Sequence, residues 1–169
     1  MLCWCAPENL AMAGPVSSFF VNTTGKKSSY TLASTVESVD RAEQMAEQWA
    51  SEVGFEEEER GRISMAVREA VVNAVYHGNA YDPGKQVTLS FETTIAAMTV
   101  RVTDQGKGLD PGVIRDPLAP ENLLLDHGRG IFLMRTFMDE VRFRDLRPGT
   151  EITLVKRRGQ SAASKEEHP

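Results

Sequence analysis

Glu69, Asn73 and His77 recur every four residues, a spacing that sets side chains along one side of an α-helix. Between them stand Ala70, Val71, Val72, Ala74 and Val75, all small and apolar. The stretch reads as a core helix that carries one polar stripe. A carboxylate one turn from a carboxamide can act as a base beside a metal ligand. Three glycine-containing segments follow in the chain. Asp104-Gln105-Gly106-Lys107-Gly108 comes directly after an expected strand. Gly128-Arg129-Gly130 comes directly before an expected helix, and Gly149-Thr150 enters an expected last strand. Each alone marks no more than a turn. Their joint occurrence after Glu69 and Asn73 points to a site.

The elements that must position these residues follow from periodicity. Tyr30 to Ala33 reads as a short strand. Ser34 or Thr35 caps a helix from about Val36 to Glu52, with Val36, Val39, Ala42, Met45, Ala46 and Trp49 as its apolar stripe. Gly54 ends that helix. The acidic run Glu56 to Glu59 suits the positive end of a second helix, which continues to about His77 and stops at Gly78-Asn79. Its core positions are Ile63, Val67, Ala70, Val71, Ala74 and Val75. Gln86–Thr94 and Met98–Thr103 alternate as a hairpin beyond the turn at Tyr81 to Gly84. Asp104 to Glu121 is rich in Gly, Pro and Asp and reads as a long loop. A third helix is expected from Ile131 to about Met138, then a closing hairpin of Glu140–Arg144 and Glu151–Lys156. The order predicts an α/β (α+β) two-layer sandwich, with a mixed, largely antiparallel sheet and helices on one face. Residues 1–29 are expected to be a disordered arm, 30–157 the folded domain and 158–169 a disordered tail.

Composition sets limits on function. The chain has 169 residues, 41% hydrophobic and 25% charged, with a net charge of -5. Mild acidity argues against direct nucleic-acid binding, which needs clustered Lys and Arg. No run approaches the roughly 20 apolar residues of a membrane span, and no signal-peptide pattern opens the chain. Cys3 and Cys5, the only cysteines, lie in the arm and read as free thiols, which suits the reducing cytoplasm.

The glycine segments match no common nucleotide motif. There is no Gly-x-x-x-x-Gly-Lys-Ser/Thr loop, and Pro111 occupies the place of the third glycine in a dinucleotide fingerprint. A Gly-x-Ser-x-Gly elbow and a His-Glu-x-x-His pair are also absent from the sequence. Taken together, Glu69-x-x-x-Asn73, Asp104-x-Gly106-x-Gly108, Gly128-x-Gly130 and Gly149-Thr150 resemble the N box and successive glycine boxes of the GHKL ATPases. Within that superfamily the chain is most similar to the small anti-sigma factor serine/threonine kinases of bacterial partner switching. The resemblance spans about Tyr30 to Lys156. Arg68-Glu69-Ala70-Val71-Val72-Asn73-Ala74 and Gly128-Arg129-Gly130-Ile131-Phe132-Leu133-Met134 carry it most specifically.

The resemblance implies a histidine kinase-like ATPase fold, with ATP and Mg2+ at the site. Asn73 would be the Mg2+ ligand, binding the ion well only together with ATP, and Glu69 the base. Asp104 would accept a hydrogen bond from the adenine amino group and reject guanine, with Thr150 assisting. Gly106 and Gly108 would let backbone approach the base and let the loop hinge. Gly128 and Gly130 would turn free amides toward phosphate oxygens, and Arg129 would stabilise the transferring phosphoryl group. Leu109 to His127 would be a short lid. His77 has two readings, a structural residue at the helix end or a group near the phosphates. The implied function is a protein kinase that phosphorylates a small anti-sigma-factor antagonist, binds a sigma factor and forms a homodimer. A nucleotide-gated partner-binding regulator with little kinase activity is the alternative. A histidine kinase module is disfavoured, because the chain lacks room for a phosphoacceptor helical pair.

Overall fold

The computed structural model describes residues 25–108 and 126–159. The arm before residue 25, most of the expected lid and the end of the tail lie outside them. Five strands form one sheet: β1 (Lys27–Ala33), β2 (Gln86–Thr93), β3 (Ala97–Thr103), β4 (Glu140–Asp145) and β5 (Thr150–Arg157). Their spatial order is β1-β2-β3-β5-β4, so β1 and β4 are the edges. Among the described residues every pairing is antiparallel, in keeping with the expected largely antiparallel sheet. β1 begins three residues before the expected Tyr30, and Lys27, Ser28 and Ser29 pair with Glu92, Phe91 and Ser90. The folded domain therefore starts inside what the sequence assigned to the arm.

Alternation decides which face of the sheet is covered. Val87, Leu89 and Phe91 on β2, Met98, Val100 and Val102 on β3, and Ile152 and Leu154 on β5 are all buried on one face. Against them lie α1 (Val36–Val53) and α2 (Glu57–Val72), and a shorter helix, α3 (Asp126–Phe137), packs beside α2. The six residues expected as the core of the second helix, four on α2 and Ala74 and Val75 just beyond it, are each at most 2% exposed. Trp49 stacks on Phe91 with ring centroids 5.2 Å apart, joining α1 to the middle of β2. Val36 departs from its expected place, because it is 55% exposed. It is the first residue of α1. Thr35 takes the N-cap position without a side-chain bond to a helix amide, and Gly54 closes α1 in the left-handed region at φ 90.

The expected continuous second helix is two pieces. α2 ends at Val72, and Asn73–Gly78 winds as a π-helical turn. A π turn uses i→i+5 bonding, so residues four apart no longer stack. The Asn79 amide bonds to Ala74 O at 2.8 Å, five residues back, which marks the widened turn. The polar stripe consequently breaks after Asn73. His77 is exposed and meets the neighbouring Tyr76 ring edge-on at 4.6 Å.

Candidate active site

Two clusters form at the two ends of the π turn. The first joins α2 to α3. Gly130 is buried, and a Cβ built on it would lie 2.8 Å from Glu69 Oε2 and 3.8 Å from both Asn73 side-chain heteroatoms. Glu69 and Asn73 are each half-buried, and both bring polar atoms close to Gly130 where α3 meets α2. Residue 130 has no side chain, which leaves the Glu69 carboxylate room to sit this close to α3. Arg68, next to Glu69, fixes the opposite flank of α2 by pairing with Asp40 and Glu43 of α1, each at 2.8 Å.

The start of α3 corrects one expectation. Gly128 and Gly130 do not precede a helix; they lie in the first turns of one that starts at Asp126. The Gly128 amide falls among the first amides, which have no intrahelical acceptor, and suits an anion. The Gly130 amide lies beyond that group, so its contribution is close approach to Glu69 instead. Arg129 is exposed beside it. Asp126 and His127, the last residues of the expected lid, are helical. Gly130→Ala is expected to retain the fold, since the obstructing atom ends a flexible side chain. It should displace the Glu69 carboxylate and lower phosphoryl transfer by about tenfold or more, the scale of a misplaced reacting group, in a single-turnover assay.

The second cluster surrounds Asp104, which is 6% exposed at the end of β3. Its Oδ1 accepts the backbone N–H of Gly106 at 2.7 Å and of Thr150 at 3.2 Å. Its own amide donates to Thr150 O at 3.0 Å. Burial nevertheless lifts the carboxyl above its ordinary value near 3.8, against the lowering from those amides and from the Lys85 charge. A buried carboxylate whose amide bonds do not fully offset desolvation is suited to accept one further donor from a ligand.

Three glycines make this burial possible. A Cβ on Gly78 would stand 2.5 Å from Asp104 Cγ. One on Gly106 would overlap the Gly78 carbonyl, and one on Gly149 would overlap the Asp104 carbonyl. Gly108, at φ +92, turns toward Asp145, with a Cβ position 2.5 Å from its Oδ1. The close approaches at Gly106 and Gly108 are thus to the chain's own backbone and side chains. Gly78 and the fully buried Asn79 are residues that sequence reasoning did not place in the site. The available signal was the Gly78-Asn79 pair, which was read only as a helix stop. Among the described residues, no group of three or more His, Cys, Asp or Glu is placed to hold a metal ion.

The histidine kinase-like ATPase domain model matches residues 32–156. The chain belongs to that family. It is 35% identical to the serine-protein kinase RsbW of Halalkalibacterium halodurans over 102 residues, 57% of this chain and 62% of that protein. The chain therefore spans less than two thirds of that relative. It is 31% identical to the serine-protein kinase RsbW of Bacillus subtilis, covering 63% of this chain and 70% of the relative. With the anti-sigma F factor of Anoxybacillus flavithermus it shares 36% identity, covering 63% of this chain and 75% of that protein. These relatives agree with the likeness to anti-sigma factor kinases carried by the sequence boxes. The fold is similar to a Mycobacterium tuberculosis crystal structure of RsbU and RsbW domains, at TM-score 0.59 and 22% identity, covering 78% of this chain and 32% of that one. Among the described residues of this family member, no helix is long and apolar enough to cross a membrane.

Proposed function

We infer that the protein is an ATP-dependent protein serine/threonine kinase that phosphorylates a small anti-sigma-factor antagonist and sequesters a sigma factor. The observation that carries this reading is the convergence of Glu69, Asn73 and Gly130 at one end of the π turn, with buried Asp104 at the other. The separation suits a nucleotide whose base and phosphates bind at different ends. The similarity to serine-protein kinases and to an anti-sigma F factor supports this reaction and partner class.

The residues present fit Mg2+ arriving with ATP. Asn73 offers one hard oxygen beside the Glu69 carboxylate, and Mg2+ keeps waters and phosphate oxygens for its other positions. When bound, the ion would neutralise charge on the phosphate oxygens. Asn73 would hold it, and the Gly128 amide would face a phosphate oxygen. Asp104 would accept from the adenine amino group, with Thr150 alongside. Glu69 would accept the proton of the attacking serine or threonine hydroxyl as the oxygen–phosphorus bond forms and ADP leaves. Arg129 would offset charge on the transferring group. Because phosphoryl transfer depends mainly on positioning and charge, these few residues suffice. A kinase of this kind acts in the cytoplasm, where sigma factors work, and the reading includes a homodimer.

Asn73→Ala is expected to weaken ATP affinity in the presence of magnesium by about tenfold while changing it little in EDTA. Calorimetric titration under both conditions checks this. An equal affinity loss with and without magnesium would remove Asn73 from the metal role. Transfer from γ-labelled ATP to a serine of the cognate antagonist tests the function itself.

A further inference from the structure

We propose that Asn79 is a positioning residue that sets the Asp104 carboxylate for adenine, acting through the backbone of Gln105. The proposal rests on the reading of Asp104 as the adenine acceptor. Asn79 is 0% exposed and uses both ends of its carboxamide. Its Oδ1 accepts the Gln105 N–H at 2.9 Å, and its Nδ2 donates to the Gln86 carbonyl at 3.0 Å. The Gln86 N–H in turn donates to Gln105 Oε1 at 2.8 Å, which closes a ring among the three residues.

This ring grips the peptide that follows Asp104. The N–H of that peptide is held by Asn79. Its carbonyl is packed against Gly149, where a Cβ would overlap it. With both ends fixed, rotation about the Asp104 backbone is restricted and the carboxylate keeps its place under the amides of Gly106 and Thr150. Asn79 also follows the π turn directly, and its own amide closes that turn on Ala74 O. One residue therefore links the turn that carries Asn73 to the peptide that carries Asp104. Asparagine suits the position because one short side chain offers an acceptor and a donor in opposite directions. A buried asparagine of this kind restricts motion only while both bonds are made.

The test uses the full chain and calorimetric titration with magnesium complexes of ATP, GTP and tripolyphosphate. Asn79→Ala is expected to lower ATP affinity about tenfold, the scale of losing a buried hydrogen bond. Tripolyphosphate, which has no base, should bind as it does to the parent, so the ATP-to-GTP ratio contracts. Gln105→Ala opens the ring from its exposed side and should contract the ratio about threefold, a weaker version of the same loss. A folded Asn79→Ala protein with the parental ratio overturns the proposal. An equal loss for ATP and tripolyphosphate also overturns it, since that marks general damage. Should Asn79→Ala give no cooperative melt, Gln105→Ala decides, and an unchanged ratio there overturns the proposal. Asp104→Asn separates this inference from its foundation. If Asp104→Asn keeps the parental ratio, the adenine reading fails and the proposal with it. If that variant loses the ratio while the other two keep it, only the role of Asn79 falls.

Discussion

Glu69→Ala should bind ATP with nearly parental affinity and transfer its γ-phosphoryl group about 10²–10⁴ times more slowly, the range of a lost general base. The physical basis is local. Glu69 lies on α2, one turn before Asn73, and its Oε2 is held against the missing side chain of Gly130. The site leaves the carboxylate half-buried, so its removal opens little apolar surface and should spare the fold. Removal should also spare nucleotide affinity, because the adenine end at Asp104 and the Asn73 ligand are separate groups. Single-turnover transfer together with calorimetry divides the two effects. Transfer unchanged in Glu69→Ala would exclude it as the base. Glu69→Gln is the stricter version, since it keeps shape and removes only the proton acceptor.

Asp104→Asn is expected to trade selectivity for stability. Guanine presents an acceptor where adenine presents an amino group, and a site built around a buried acceptor rejects the wrong partner strongly. The variant should lose ATP preference over GTP by about 10² or more, given that an unpaired buried polar group is the source of discrimination. The stability effect runs the other way. Burial raises the Asp104 carboxyl above its ordinary value near 3.8. A group that binds its proton more tightly when folded contributes stability below its unfolded value and loses it as pH rises through the folded value. At neutral pH the ionised carboxylate is therefore a net cost in the nucleotide-free protein. Asp104→Asn should melt at a higher temperature than the parent at pH 7, and the gap should narrow as pH falls toward 3.8. A variant that melts lower at pH 7 would show that the amide bonds of Gly106 and Thr150 outweigh desolvation.

Periodicity made most of the scaffold legible. Ile63, Val67, Ala70 and Val71 of α2, and Ala74 and Val75 of the π turn after it, are buried as their spacing predicts, and both hairpins form close to their expected bounds. The boxes also marked the chain segments that meet. What escaped was set by tertiary packing. An α-helical period continues through Tyr76 and His77 in the sequence, yet the backbone widens into a π turn from Asn73. Nothing in residue type distinguishes the two windings over so few positions, and His77 was grouped with Glu69 for that reason. Gly78 read only as a helix stop and Gly149 only as a member of a glycine box, because what each one touches is set by the folded backbone. Only the folded backbone brings Gly78 against the Asp104 carboxyl and Gly149 against its carbonyl. Asn79 was hidden likewise, since its partners Gln86 and Gln105 lie 7 and 26 residues away. The sheet edge at β4 follows from strand order, which alternation alone cannot give.

The central claim is that this family member moves a phosphoryl group to protein, and one measurement bears on it most directly. The full chain is incubated with magnesium, γ-labelled ATP and its cognate antagonist, and label on the antagonist is followed with time and assigned to a residue. The account predicts stoichiometric phosphoserine or phosphothreonine on the antagonist, lost with Glu69→Ala. Tight ATP binding and ATP-dependent capture of a partner, with no label transferred, would contradict it and identify a nucleotide-gated binder.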